Sequence, residues 1–146
     1  MNGFVLDTNV VSELERDRPT PVVDGWFSGQ PEDGLFVTTV TIGEIGAGVE
    51  VLAPGRRRAR LQAWLDDLVR YRFAGRVLPY DTEAALIFGR LIARARDAGR
   101  PSGIADAQIA AIASARGLAV ATRDVRDFSA FGIDLANPWD GPAQRA

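Results

Sequence analysis

Phe4-Val5-Leu6-Asp7-Thr8-Asn9-Val10-Val11-Ser12-Glu13-Leu14 limits the possible folds more than any other stretch of the chain. Its first half is a short apolar run of strand type, broken by an acid and by Thr8 and Asn9, two residues that cap helices well. Apolar positions return at Val10, Val11 and Leu14 with helical spacing. A buried strand, a turn and a helix in that order open an α/β sheet, in which ligands are held just beyond the carboxyl ends of the strands. Asp7 therefore stands at a rim suited to chemistry, or only caps the next helix, and the remaining acids must decide between the two.

Further along, Asp17-Arg18-Pro19-Thr20-Pro21 breaks the chain, and Val22, Val23, Trp26 and Phe27 predict a short amphipathic helix. Leu35-Phe36-Val37-Thr38-Thr39 reads as a second strand. Thr41 is placed to cap the following helix, with Glu44 at the third position of a capping box. Glu44 has a second reading as well, because it lies one turn into a helix that follows a strand, at the same rim as Asp7. After Ala53-Pro54-Gly55, the run Arg56-Arg57-Arg58-Ala59-Arg60 starts a helix whose buried stripe is Leu61, Trp64, Leu65 and Leu68, continued at Tyr71 or Arg72. Val77-Leu78-Pro79-Tyr80 is a short third strand, and Asp81 or Thr82 caps a helix running to about Ala98.

Ile104 to Ala113 is apolar nearly all round, so it predicts a helix buried on most faces. Asp106 is its only charge, in the first turn, where burial costs free energy unless a cation or donors meet the carboxylate. Leu118-Ala119-Val120-Ala121-Thr122 is a fourth strand that ends in an acid, as the first does, at Arg123-Asp124. A last strand falls within Gly132 to Trp139, and residues 141–146 read as a frayed tail behind one domain over 1–140.

Absences narrow the chemistry. With no histidine and no cysteine there is no imidazole base, no Ser-His-Asp triad and no thiolate or His-ligated zinc. All 17 basic residues are arginine, which excludes a phosphate-loop lysine and Schiff-base chemistry. A formal charge of -2 supplies no global field for nucleic acid, so a polyanion must meet local arginines, with Arg56, Arg57, Arg58, Arg60, Arg100 and Arg123 the candidates. No apolar run approaches the ~20 residues of a membrane span, and the start lacks a signal peptide's basic residues, so the expected location is the cytoplasm, with no membrane partner.

Asp7, Glu44, Asp106 and Asp124 thus come from two strand ends and two helix first turns, places that share one edge of a parallel sheet. Four gathered carboxylates repel one another unless a hard cation sits among them, and all-oxygen ligation points to Mg²⁺ or Mn²⁺. Metal-assisted hydrolysis of a phosphodiester is the chemistry such a site performs.

Leu6-Asp7-Thr8-Asn9-Val10, Thr41-Ile42-Gly43-Glu44-Ile45, the Asp106 helix and Ala121-Thr122-Arg123-Asp124-Val125-Arg126-Asp127-Phe128 together resemble the PIN-domain ribonucleases. Asn137-Pro138-Trp139 is similar to the bacterial toxin branch, the VapC and related FitB proteins. The resemblance implies a short parallel sheet flanked by helices, an α/β/α sandwich. It implies that Asp7, Glu44 and Asp106 are catalytic and bind Mg²⁺ or Mn²⁺, that Asp124 completes the set, and that Thr122 orients water or substrate. Arg123 is a candidate for positioning substrate. Many relatives carry asparagine where this chain has Asp124, which leaves the role of that fourth acid open. The resemblance further implies RNA as substrate, a small antitoxin that inserts its C-terminal segment into the acidic groove, a homodimer, hetero-oligomers with the antitoxin, and promoter DNA bound only through the antitoxin. With no histidine to activate a 2′-hydroxyl, a metal-activated water is the expected nucleophile, giving 5′-phosphate and 3′-hydroxyl ends. Aspartyl-phosphate enzymes and receiver modules, which share an acid after the first strand, need a lysine that this chain lacks. A PIN-fold scaffold without catalysis is the remaining alternative.

Overall fold

In the computed structural model, which describes residues 3–141, five parallel strands form one sheet in the order β3-β2-β1-β4-β5. They are β1 (Phe4–Leu6), β2 (Leu35–Thr38), β3 (Val77–Leu78), β4 (Ala119–Ala121) and β5 (Leu135–Ala136). β1 is central: Phe4 pairs with Leu35 on one side and with Ala119 on the other. The chain moves from β1 outward through β2 and β3, then returns across the sheet to β4 and β5. The reversal leaves a crevice between the carboxyl ends of β1 and β4, the place where open α/β sheets hold ligands.

The strands are short, and alternate side chains of the inner ones feed two cores, one on each face of the sheet. Val5 and Val120 enter one, with Phe128, Phe131 and the helices α5 (Thr82–Asp97) and α6 (Ile104–Ala115). Leu6, Val37 and Ala121 enter the other, beneath α1 (Thr8–Glu13), α2 (Pro21–Ser28), α3 (Thr39–Glu50) and α4 (Arg56–Asp67). Helices on both faces make the α/β/α sandwich expected from the sequence. In α6, Ala107 and the run Ile109 to Ala113 are buried, and the alanines let it lie close against α5 and the sheet. A short helix α7 (Val125–Phe128) follows β4.

Two local readings change, and one residue without a reading proves buried. The cap of α3 is Thr38, whose hydroxyl accepts from the Thr41 N–H at 3.1 Å, three residues before the expected Thr41. Thr38 closes the strand and opens the helix at once, so Glu44 belongs to no capping box. Past Asp67 the helix widens into a π turn over Leu68–Arg72, with the Phe73 N–H reaching the Leu68 carbonyl at 2.9 Å. The wider turn swings Phe73 into the core and leaves Tyr71, expected on the buried stripe, 75% exposed. Glu13, unremarked in the sequence, is buried: its carboxylate accepts from Thr20 N–H at 3.0 Å and from Arg16 at 2.9 Å, tying α1 to the segment before α2. Burial pushes its carboxyl up, but the Thr20 donors and Arg16 together hold it below the usual carboxylate range. The expected fray at 141–146 falls outside the described residues, apart from Gly141, which is buried.

Candidate active site

Asp7 ends the central strand, its N–H donating to the Ala121 carbonyl at 2.9 Å across the crevice between β1 and β4. It has both of its sequence readings at once. One carboxylate oxygen accepts from the Thr8 N–H at 2.8 Å and caps α1, and the other accepts from the Thr122 hydroxyl at 2.7 Å. With 4% of the residue exposed, desolvation raises the Asp7 carboxyl above its ordinary range. The two donors oppose that rise, and the charges of Asp124 and Glu44 add to it.

Thr122, directly after β4, is wholly buried, and its hydroxyl is spent on protein: it donates to Asp7 and accepts from the Asp124 N–H at 2.9 Å. It therefore orients two acids, and any effect it has on water or substrate runs through Asp7 and Asp124. Asp124 is exposed at the start of α7. The Asn9 side chain reaches over to hold it, donating to its carboxylate at 3.0 Å while accepting from the Arg123 N–H at 3.4 Å. The Arg123 guanidinium lies over the Trp139 ring, 5.0 Å from its centroid, and no carboxylate among the described residues pairs with it.

Glu44 stands in the second turn of α3, exposed, with its carboxylate accepting from the Thr8 hydroxyl at 2.6 Å. Asp106 is in the first turn of α6, where Gly103 supplies no side-chain cap. α6 leads into β4 and so starts at the carboxyl edge of the sheet. Desolvation, followed by the charges of Asp7, Asp127, Asp124 and Glu44, pushes the Asp106 carboxyl up to about 6. The fold thus brings Asp7, Glu44, Asp106 and Asp124 to one rim, and adds Asp127. Thr8, Asn9 and Thr41 complete the polar surroundings. The sequence suggested only capping for these three, although a hydroxyl or amide next to a candidate acid was a usable signal.

Chemically, the rim offers hard oxygen donors whose mutual repulsion a divalent cation relieves. As they stand, hydroxyls and amides hold the acids apart, and among the described residues no three are gathered into a ready-made metal shell.

The PIN domain model matches residues 4–133, nearly the whole described chain. The chain belongs to the PIN-domain family. The VapC ribonuclease Y4jK of Sinorhizobium fredii is 41% identical to this PIN domain over 137 residues, spanning 94% of this chain and 98% of its own. The structure of FitAB bound to an IR36 DNA fragment superposes with a TM-score of 0.89 at 32% identity, covering 97% of this chain and 99% of the other. A member of the VapBC family of toxin–antitoxin systems, VapBC-5 from Mycobacterium tuberculosis, gives a TM-score of 0.69 at 28% identity, over 94% and 99% of the two chains.

Of the six arginines proposed to meet a polyanion, three are engaged within this PIN domain. Arg58 pairs with Glu50 and Arg60 with Glu15, both at 2.6 Å, and Arg100 donates to the Arg126 carbonyl. Arg58 and Arg60 thereby fasten the start of α4 to the end of α3 and the end of α1. Arg123 is the one among these candidates that flanks an acid of the rim. No helix among the described residues is long and apolar enough to cross a membrane.

Proposed function

We propose that this PIN domain is the ribonuclease of a toxin–antitoxin pair, hydrolysing RNA phosphodiester bonds with the help of Mg²⁺ or Mn²⁺ held by Asp7, Glu44, Asp106 and Asp124. The observation that carries the reading is the arrival of four acids from four elements at one rim beside β1, where burial, with the neighbouring acidic charges adding to it, pushes the Asp106 carboxyl up to about 6. When bound, the ion supplies a nucleophilic water at neutral pH and stabilises charge on the phosphoryl group. Asp7, fixed by two hydrogen bonds on a buried strand, gives the site its rigid member, and Asn9 and Thr122 hold Asp124. No histidine is present to take a proton from a 2′-hydroxyl, so water is the attacking group.

The named relatives support the biological half of the reading: one is called a VapC ribonuclease, another belongs to a toxin–antitoxin system, and FitAB is described bound to DNA. We take the partners to be a cognate antitoxin, a second copy of the chain, and promoter DNA reached through the antitoxin, with the cytoplasm as the setting. The absence of a three-carboxylate shell among the described residues favours a second reading, an inactive PIN scaffold, and metal binding separates the two.

Incubating the purified chain, free of antitoxin, with total cellular RNA tests the proposal directly. Discrete cuts are expected with Mg²⁺ or Mn²⁺ that disappear with a chelator or in Asp7→Asn, leaving 5′-phosphate and 3′-hydroxyl ends. Products ending in a 2′,3′-cyclic phosphate would sink the water mechanism, and cutting that survives chelation would remove the metal.

Arg123, pre-organised on Trp139 beside Asp124, is set to contact a phosphate next to the cut. Arg123→Ala is expected to raise KM severalfold with little change in kcat. It should also flatten the dependence of log KM on log salt by about 0.7, the share of one phosphate contact on a single strand. An unchanged salt slope removes Arg123 from the RNA path.

A further inference from the structure

We propose that Thr41, which lies wholly inside the protein, is a positioning residue for Glu44 and acts on it through the Thr8 hydroxyl; the inference rests on Glu44 being a metal ligand. Glu44 is exposed, and among the described residues no arginine pairs with it. A free glutamate side chain samples many rotamers, and ordering it costs entropy that something must offset. Its carboxylate accepts from the Thr8 hydroxyl at 2.6 Å.

Donor and acceptor capacities fix the direction of every proton behind that bond. A carboxylate only accepts, so the single Thr8 hydroxyl proton points at Glu44. The Thr8 oxygen is then the acceptor of its 3.0 Å contact with Thr41, whose own proton must point at Thr8. Thr38 stands behind Thr41, its hydroxyl 3.5 Å away and anchored by the Thr41 N–H at 3.1 Å. Thr38 and Thr41 are both 0% exposed, so water does not compete for these groups. Three hydroxyls from the end of β2, the start of α3 and the start of α1 are therefore aligned on one carboxylate, and bonds aligned in this way strengthen one another. The chain fixes Glu44 relative to Asp7, because Thr8 is the residue next to Asp7.

Thr41→Val keeps the shape and removes the hydroxyl, and Thr41→Ser restores it. Thr8→Val breaks the chain at the exposed end should Thr41→Val fail to fold. Two readouts are taken on the full chain: the Mn²⁺ dissociation constant by calorimetry, and the Glu44 carboxylate carbon signal by NMR without metal. Thr41→Val is expected to weaken Mn²⁺ binding about tenfold, as loss of a group that orients a ligand does, and to move the Glu44 signal. Thr41→Ser should keep both near wild type, and in a Glu44→Gln background Thr41→Val should weaken Mn²⁺ no further. The proposal is overturned if Thr41→Val leaves both readouts unchanged, or weakens Mn²⁺ equally in the Glu44→Gln background. If wild type binds no Mn²⁺ while the Glu44 signal still moves in Thr41→Val and returns in Thr41→Ser, the hydroxyl chain stands and the metal reading falls.

Discussion

Asp106→Asn is expected to cut RNA about a thousandfold more slowly than wild type and yet to melt at a higher temperature when no metal is present. The two effects have one origin. An unfolded aspartate titrates near 3.8, whereas in the folded chain Asp106 holds its proton up to about 6, because burial and the charges of Asp7, Asp127, Asp124 and Glu44 oppose ionisation. Between those values the folded protein binds a proton that the unfolded chain has released, so stability falls as pH rises through that window and stays lower above it. An amide carries no charge and removes that slope. Solvent reaching the half-buried carboxyl screens much of the effect, so the gain in Tm at neutral pH should be about 2–4 °C, what ~1 kcal/mol is worth in a chain of this size. With Asp106 in the proposed role of metal ligand, Mn²⁺ should stabilise wild type and leave the variant, which lacks that carboxylate, nearly unmoved. Cleavage by wild type should rise with pH through about 6, as protons cease to compete for Asp106. Thermal melts at pH 4, 6 and 8 without metal provide the check, and a variant that melts below wild type at pH 8 would contradict the account.

Thr122→Val should also slow cleavage, although it changes no acid, and unlike Asp106→Asn it should destabilise the fold. The hydroxyl links Asp7 at 2.7 Å to the Asp124 N–H at 2.9 Å, and a methyl group in its place leaves a buried carboxylate oxygen and a backbone donor unmet. Losing a hydrogen bond to a buried charged group costs about 2–3 kcal/mol, or roughly 5–10 °C in Tm here. Cleavage should fall ten- to a hundredfold as Asp7 and Asp124 lose their shared anchor. Thr122→Ser retains the hydroxyl and should recover most of both. Melting curves and cleavage rates for the pair decide it, and a valine variant that melts with wild type refutes the bridge.

Much of this architecture was legible in the sequence. Strands buried on both faces read as short apolar runs, and Asp106 stood out as one charge in a helix with no polar face. The legible features are those in which burial repeats with the period of the element. What stayed hidden depends on partners far away in the chain. The cap of α3 was misplaced because Thr38, Thr39 and Thr41 all suit both a strand end and a helix start, and only the geometry of the strand end selects Thr38. The π turn exists to deliver Phe73 to a core that no local pattern announces. Thr8 and Asn9 read as caps, whereas in the folded chain their side chains serve Glu44 and Asp124, the latter 115 positions away from Asn9.

The central place of β1 also governs when the protein becomes dangerous. β1 is made long before its partner β4, which begins only at Ala119, and Asp7 lacks its Thr122 anchor until that strand arrives. At ~5–20 residues per second, on the order of ten seconds of synthesis separate the two strands. By the time β4 begins, Asp7, Glu44 and Asp106 have all been made, but Thr122 and Asp124 have not, so the rim is incomplete on the nascent chain. A truncated or stalled product ending before β4 is therefore expected to cut no RNA, even where it already carries Asp7, Glu44 and Asp106.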